Sequence, residues 1–123
     1  MTLQELYFTI DGDYEKALSV LRMDKLLDKH IRRLPDNAIF PALFAAGESL
    51  DASGIFESAH AIKGVCANLG LLKLSEAASE LCEEFREGNA RKLSDEEVRA
   101  RVKALNAQYQ ETVDGIRAYI AEN

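Results

Sequence analysis

Apolar residues recur at three- and four-residue intervals along nearly the whole chain, and the breaks between runs carry helix-starting and helix-stopping residues. Thr2 is placed to cap a short first helix, LQELYFTI, which ends before Gly12. Asp13 caps a second, YEKALSVLR, and Asp24 opens a third, KLLDKHIRRL, closed by Pro35. In that third segment Leu26, Leu27, Ile31 and Leu34 keep helical spacing while Asp28, Lys29, Arg32 and Arg33 fall elsewhere. A fourth helix, from about Ala38 to Ser49, carries Ile39, Leu43 and Ala46 on one side, with Pro41 in its first turn, where the missing N–H does least harm.

Asp51 then caps a helix that runs to about Leu69, with Gly70 as its stop. Lys73 to Glu87 follows, with Leu74, Ala77, Ala78, Leu81 and Phe85 as its stripe and Gly88 as terminator. Ser94 and Glu97 form a capping box that opens a long last helix. Its stripe is Val98, Val102, Leu105, Tyr109, Val113, Ile116 and Ile120. No run alternates as a strand does. The later loops are short, so successive helices should pack antiparallel. The pattern predicts an all-α domain over residues 1–123: an up-and-down antiparallel four-helix bundle from about 36 to 123, with extra short N-terminal helices over about 1–35.

Composition narrows the chemistry. With 47% hydrophobic and 29% charged residues among 123, the chain suits one folded core rather than disorder. A net charge of −6 repels phosphate backbones and anionic lipid, so neither nucleic acid nor a membrane is expected as a partner. No apolar run approaches a membrane span, and MTLQELYF is not a signal peptide, which predicts a cytoplasmic protein. Cys66 and Cys82 are expected to be packed and reduced. With only His30 and His60 and no close Cys or His pair, no metal site is expected.

One segment, AHAIKGVCANLG (residues 59–70), departs from packing logic. On a helical wheel, Ile55, Ala59, Ile62, Val65, Cys66 and Leu69 cluster opposite His60. The imidazole therefore points outward, flanked by Ser53, Phe56, Lys63, Gly64 and Ala67. An idle surface histidine is the bland reading of the ring alone, and each neighbour has its own: a solvated lysine, a packing glycine, an aromatic cover. Together on one face they describe something else. Lys63 can reach a group carried on the imidazole. Gly64 costs about 1 kcal/mol against alanine in a helix interior but clears the surface beside the ring for another backbone. Phe56 and Ala67 give a low apolar surround on which a partner can dock. Phosphoryl transfer suits this set, because it needs positioning and charge stabilisation above all.

The same residues, followed by LLKLSEAASELCEEF, resemble the histidine-containing phosphotransfer (HPt) domain family. The resemblance rests on Ala59, His60, Ile62, Lys63, Gly64, Leu69 and Gly70, and is tight over about 56–85. It implies that His60 accepts a phosphoryl group on Nε2 in a multistep phosphorelay, exchanging it with aspartates of response-regulator receiver domains fed by a hybrid sensor histidine kinase. Lys63 would then stabilise the phosphate, and Gly64, Phe56, Ala67 and Asn68 would form the close-approach and docking face. No cofactor is implied, because Mg²⁺ belongs to the receiver's pocket. Several family members orient the imidazole with a glutamine on the following helix. That position here is Cys82, a weaker partner, with Ser79 one turn earlier as a substitute.

Nothing resembles a nucleotide-binding loop, so the chain reads as a phosphoryl carrier and not an enzyme. A monomer is expected. Two rivals carry different tests. A docking module that binds receivers or kinases without phosphate would tolerate His60→Gln. A small enzyme using His60 as general base, oriented by Glu57, would need the ring in a cleft.

Overall fold

The computed structural model describes residues 1–122. Its helices are α1 (Leu3–Thr9), α2 (Tyr14–Leu21), α3 (Asp24–Arg33), α4 (Ile39–Ser49), α5 (Ala52–Asn68), α6 (Leu72–Glu84) and α7 (Asp95–Glu122), with a 3-10 turn at Leu34–Asp36. No strand occurs among the described residues. The fold is all-α, as the periodicity predicts.

Helices α4 to α7 close a ring, α5 packing on α4 and α6, and α7 on α4 and α6. Helices α4 and α7 run in opposite directions, as do α5 and α6. Early in α4, Phe40 stacks on Tyr109 of α7, with ring centroids 3.8 Å apart. Late in α4, the Glu48 carbonyl accepts from Arg99 at 3.2 Å. Between α5 and α6, His60 faces Cys82, and farther along the Ser75 hydroxyl donates to the Lys63 carbonyl at 2.9 Å. Arg101 of α7 pairs with Glu80 of α6 at 2.8 Å.

The N-terminal helices are fastened to this ring by hydroxyls and by backbone. Tyr7, buried on α1, donates to the carbonyl of Leu69 at 2.6 Å. The Asp13 N–H donates to the Gly70 carbonyl at 2.8 Å. Gly70 has φ +70°, and a Cβ there would lie 2.2 Å from the Asp13 carbonyl oxygen. Only glycine fits that turn. Tyr119 of α7 donates to Asp28 of α3 at 2.6 Å.

The capping pattern holds in three places and fails in two. Thr2 with Glu5, Asp13, and Ser94 with Glu97 cap as predicted. Asp24 is instead the first helical residue, Met23 occupies the cap without a side-chain bond, and the Asp24 carboxylate accepts from Tyr14 at 2.5 Å. Asp51 sits at the cap of α5 with no capping bond. The buried side of α4 is Phe40, Leu43, Ala46 and Gly47, with Ile39 only half-buried. The aromatic stack on Tyr109 rotates the helix that way.

Helix α6 ends three residues before Glu87 because its last turn serves the next loop. The Asn89 amide donates to the Glu83 carbonyl at 2.9 Å. One Glu84 carboxylate oxygen accepts from the N–H groups of Leu93 at 2.7 Å and Lys92 at 2.8 Å, and from Arg91 at 3.2 Å. These donors, the Leu93 N–H first, hold the Glu84 carboxyl below its ordinary 4.5. A depressed carboxylate contributes stability above its unfolded pKa and loses it as pH falls through the folded one. Glu84→Gln should therefore lower the urea midpoint at neutral pH, and the gap to wild type should close as acid takes the pH below 4.5 and through the lowered folded value. Paired urea titrations along that pH series check it, and a gap independent of pH would be the contrary result.

Candidate phosphoacceptor face on α5

The outward stripe of α5 lies on an open surface. His60 and Gly64 are exposed, and Phe56, Lys63 and Ala67 are half-buried. Ile55, Ala59, Ile62, Cys66 and Leu69 are buried on the other side, which fixes the helix rotation. Val65, predicted to join them, is half-buried and lines a surface pocket instead. A Cβ built on Gly64 meets nothing within 4 Å.

The imidazole is held on two sides. Phe56 lies one turn back with its ring nearly parallel, centroids 6.0 Å apart and 17° between planes. Underneath, the thiol of buried Cys82 lies 4.0 Å from Nδ1, the outer limit for a sulfur hydrogen bond. With Nδ1 turned toward α6, the opposite ring nitrogen, Nε2, faces outward. If Nδ1–H donates to sulfur, Nε2 keeps its lone pair. If S–H donates to Nδ1, the proton is on Nε2. A thiol is too weak to enforce either tautomer. Cys66, buried on the far face, has its thiol pushed up to about 12 by burial and takes no part.

Two residues that the sequence reading missed complete the face. Arg86 lies one turn past Cys82, its guanidinium 5.4 Å from the Phe56 centroid, and Glu83 pairs with it at 2.9 Å. That pairing is the main reason the Glu83 carboxyl sits below its ordinary value, with the nearby Lys63 charge a smaller one. No helical count finds Arg86, because α6 ends at Glu84 and the contact with Phe56 depends on how α5 sits against α6. Lys63 makes no ion pair among the described residues. The cations of this face are thus an ammonium without an ion pair and a guanidinium held by Glu83 over the Phe56 ring.

The remaining candidates are scattered. Ser79 lines a groove with Glu76, Glu80 and Arg101. Asn68 is exposed at the end of α5, beside His30 and Arg33. Glu57 lines a shallow groove with Ser58 and Ala61 that His60 does not enter. Among the described residues no three His, Cys, Asp or Glu side chains gather as a metal site needs, and no helix is long and apolar enough to cross a membrane. The chain matches the Hpt domain family over residues 20–118. No curated protein and no solved structure matches it.

Proposed function

The chain belongs to the Hpt domain family, whose members carry phosphoryl groups on histidine in phosphorelay signalling, and from that premise we propose that His60 is its phosphoacceptor. The observation that carries the assignment is the ring's setting: Nδ1 turned to Cys82, Nε2 outward, on a surface cleared at Gly64. The Nε2 lone pair attacks phosphorus of a receiver's aspartyl phosphate. The N–P bond forms as the P–O bond to the carboxylate breaks, the carboxylate leaves with the electron pair, and Nδ1 keeps its proton. The reverse step loads an aspartate on a second receiver. Lys63 offsets charge on the equatorial oxygens, Arg86 adds a guanidinium on the Phe56 platform, and Gly64, Phe56, Ala67 and Asn68 admit the partner's loops. A hybrid sensor kinase and receiver domains are the partners that fit this chemistry. The protein itself, a monomer in this reading, supplies no metal or cofactor.

The deciding experiment loads a panel of receiver domains with acetyl phosphate and Mg²⁺, adds the protein, and follows intact mass. The relay reading requires an acid-labile phosphoryl group on the protein. Tight receiver binding with no transfer would convert it to a docking module.

Cys82 offers a graded test of ring orientation. A glutamine there brings a carbonyl oxygen to Nδ1–H and should raise the transfer rate about threefold, a fraction of one hydrogen bond's worth. The ¹⁵N shifts of the imidazole should move toward the Nδ1–H tautomer. Unchanged shifts would show that position 82 does not set the tautomer.

A further inference from the structure

Residues 22–33 hold Arg22, Lys25, Lys29, Arg32 and Arg33 against two carboxylates, Asp24 and Asp28, inside a chain of net charge −6. The helix sorts them. Leu27 and Ile31 face the core, and Arg32 is taken by Asp28 at 2.9 Å. Arg22, Lys25, Lys29 and Arg33 are exposed and make no ion pair among the described residues. Elsewhere Lys73, Arg86, Arg91 and Arg101 are paired with carboxylates, while Lys16, Lys63, Lys92, Arg99, Lys103 and Arg117 make no ion pair among the described residues. What distinguishes residues 22–33 is that four such cations fall within one short segment. On the helical wheel the acids fall on one flank, whereas Met23, Leu26 and His30 share the other. Met23 is 52% and Leu26 38% exposed, large for apolar side chains. This acid-free flank points at the end of α5, where His30 and Arg33 line a pocket of about 320 Å³ with Val65 and Asn68.

Asn68 lies eight residues along α5 from His60, about 12 Å. A standard interface covers about 800 Å² per partner, a patch roughly 30 Å across. A protein docked on His60 over that span reaches the end of α5, where His30 and Arg33 of α3 line the pocket with Asn68. The exposed, unpaired cations of α3 are complementary to an acidic surface on such a protein, outside its reacting aspartate. We propose that the outer face of α3 is a second docking patch, in which Lys25, Lys29 and Arg33 around Leu26 and Met23 capture an acidic surface of the protein that exchanges phosphoryl with His60. The inference rests on the relay reading above. Its role is encounter and register, since exposed charges act chiefly on association rate.

The test measures transfer from the acetyl-phosphate-loaded receiver that reacts fastest with wild type, at sub-saturating concentration and increasing salt. Lys29→Glu with Arg33→Glu should slow transfer about tenfold at low salt, and the difference should vanish at high salt. The rate within the saturated complex and the lifetime of the phosphohistidine should not change. Lys103→Glu with Arg117→Glu, both exposed on α7, alters net charge equally and should leave transfer near wild type. Lys29→Gln with Arg33→Gln should give an intermediate loss, and thermal melts check that each variant folds. Equal rates for wild type and the α3 variant at every salt concentration would overturn the proposal, as would equal slowing by the α7 pair. So would unchanged transfer with loss of binding to phosphatidylglycerol vesicles, which would assign the patch to lipid. Failure of the relay reading looks different: wild type itself would take no phosphoryl from any receiver, and the proposal would fall with it.

Discussion

A His60→Gln protein is expected to fold as wild type does and to carry no phosphoryl group. The side chain is exposed at mid-helix, its contacts being the parallel Phe56 ring and a 4.0 Å approach to the Cys82 thiol. Glutamine is no worse a helix former than histidine, and exposed substitutions of this kind stay within about 0.5 kcal/mol. The chemistry has no such tolerance. An amide nitrogen lends its lone pair to the carbonyl and cannot attack phosphorus, and the other titratable nitrogen of this type, on His30, sits on α3. Intact mass after incubation with a loaded receiver should show the acid-labile adduct on wild type alone. Receiver binding, followed by titration calorimetry, should persist, because the apolar surround and Lys63 remain. An adduct surviving in the variant would move the acceptor to another residue. A variant that still supports signalling without any adduct would establish the docking module.

At Gly64 stability and transfer should move in opposite directions. A Cβ there meets nothing within 4 Å, so Gly64→Ala should stabilise the protein by about 1 kcal/mol through helix propensity alone. The same methyl stands one turn from His60 on the face that the partner must approach, and transfer should slow. Gly64→Gln should slow it further, by about a hundredfold, because displacing two reacting centres by about 1 Å costs that much. Urea melts and single-turnover transfer on the same samples read both effects. Transfer at the wild-type rate in Gly64→Gln would mean that the partner's backbone does not pass over this position, and the docking geometry would have to be redrawn.

What the amino-acid pattern could reveal depended on range. His60, Lys63 and Gly64 share a face because helical periodicity is local, and the buried set opposite them settles the rotation. The stack of Phe40 on Tyr109 spans two helices far apart in sequence, so no window of residues predicts that Phe40, rather than Ile39, turns inward. Arg86 reaches Phe56 only through the register of α5 against α6, which periodicity leaves open. The Asp24 cap failed where another partner intervened: Tyr14 donates to the Asp24 carboxylate. The end of α6 shifted because Glu84 is committed to backbone donors nine residues on. Val65 lies at the edge of the apolar arc, where a wheel cannot tell core from rim.

The fastening of α1 and α2 to the turn after α5 bears on where the protein begins as a physical object. The family match starts at residue 20, yet Leu6, Tyr7 and Ala17 are buried in the shared core. Tyr7 and Asp13 hold the carbonyls of Leu69 and Gly70. A chain trimmed to the matched region would keep His60 and all its neighbours, but would leave those two carbonyls and the apolar surface around them open to water. The end of α5, where Leu69 and Gly70 are held, would lose its abutment. The heritable signature and the mechanical unit are thus different lengths of the same polypeptide, and a minimal functional fragment has to be measured by what is buried against it.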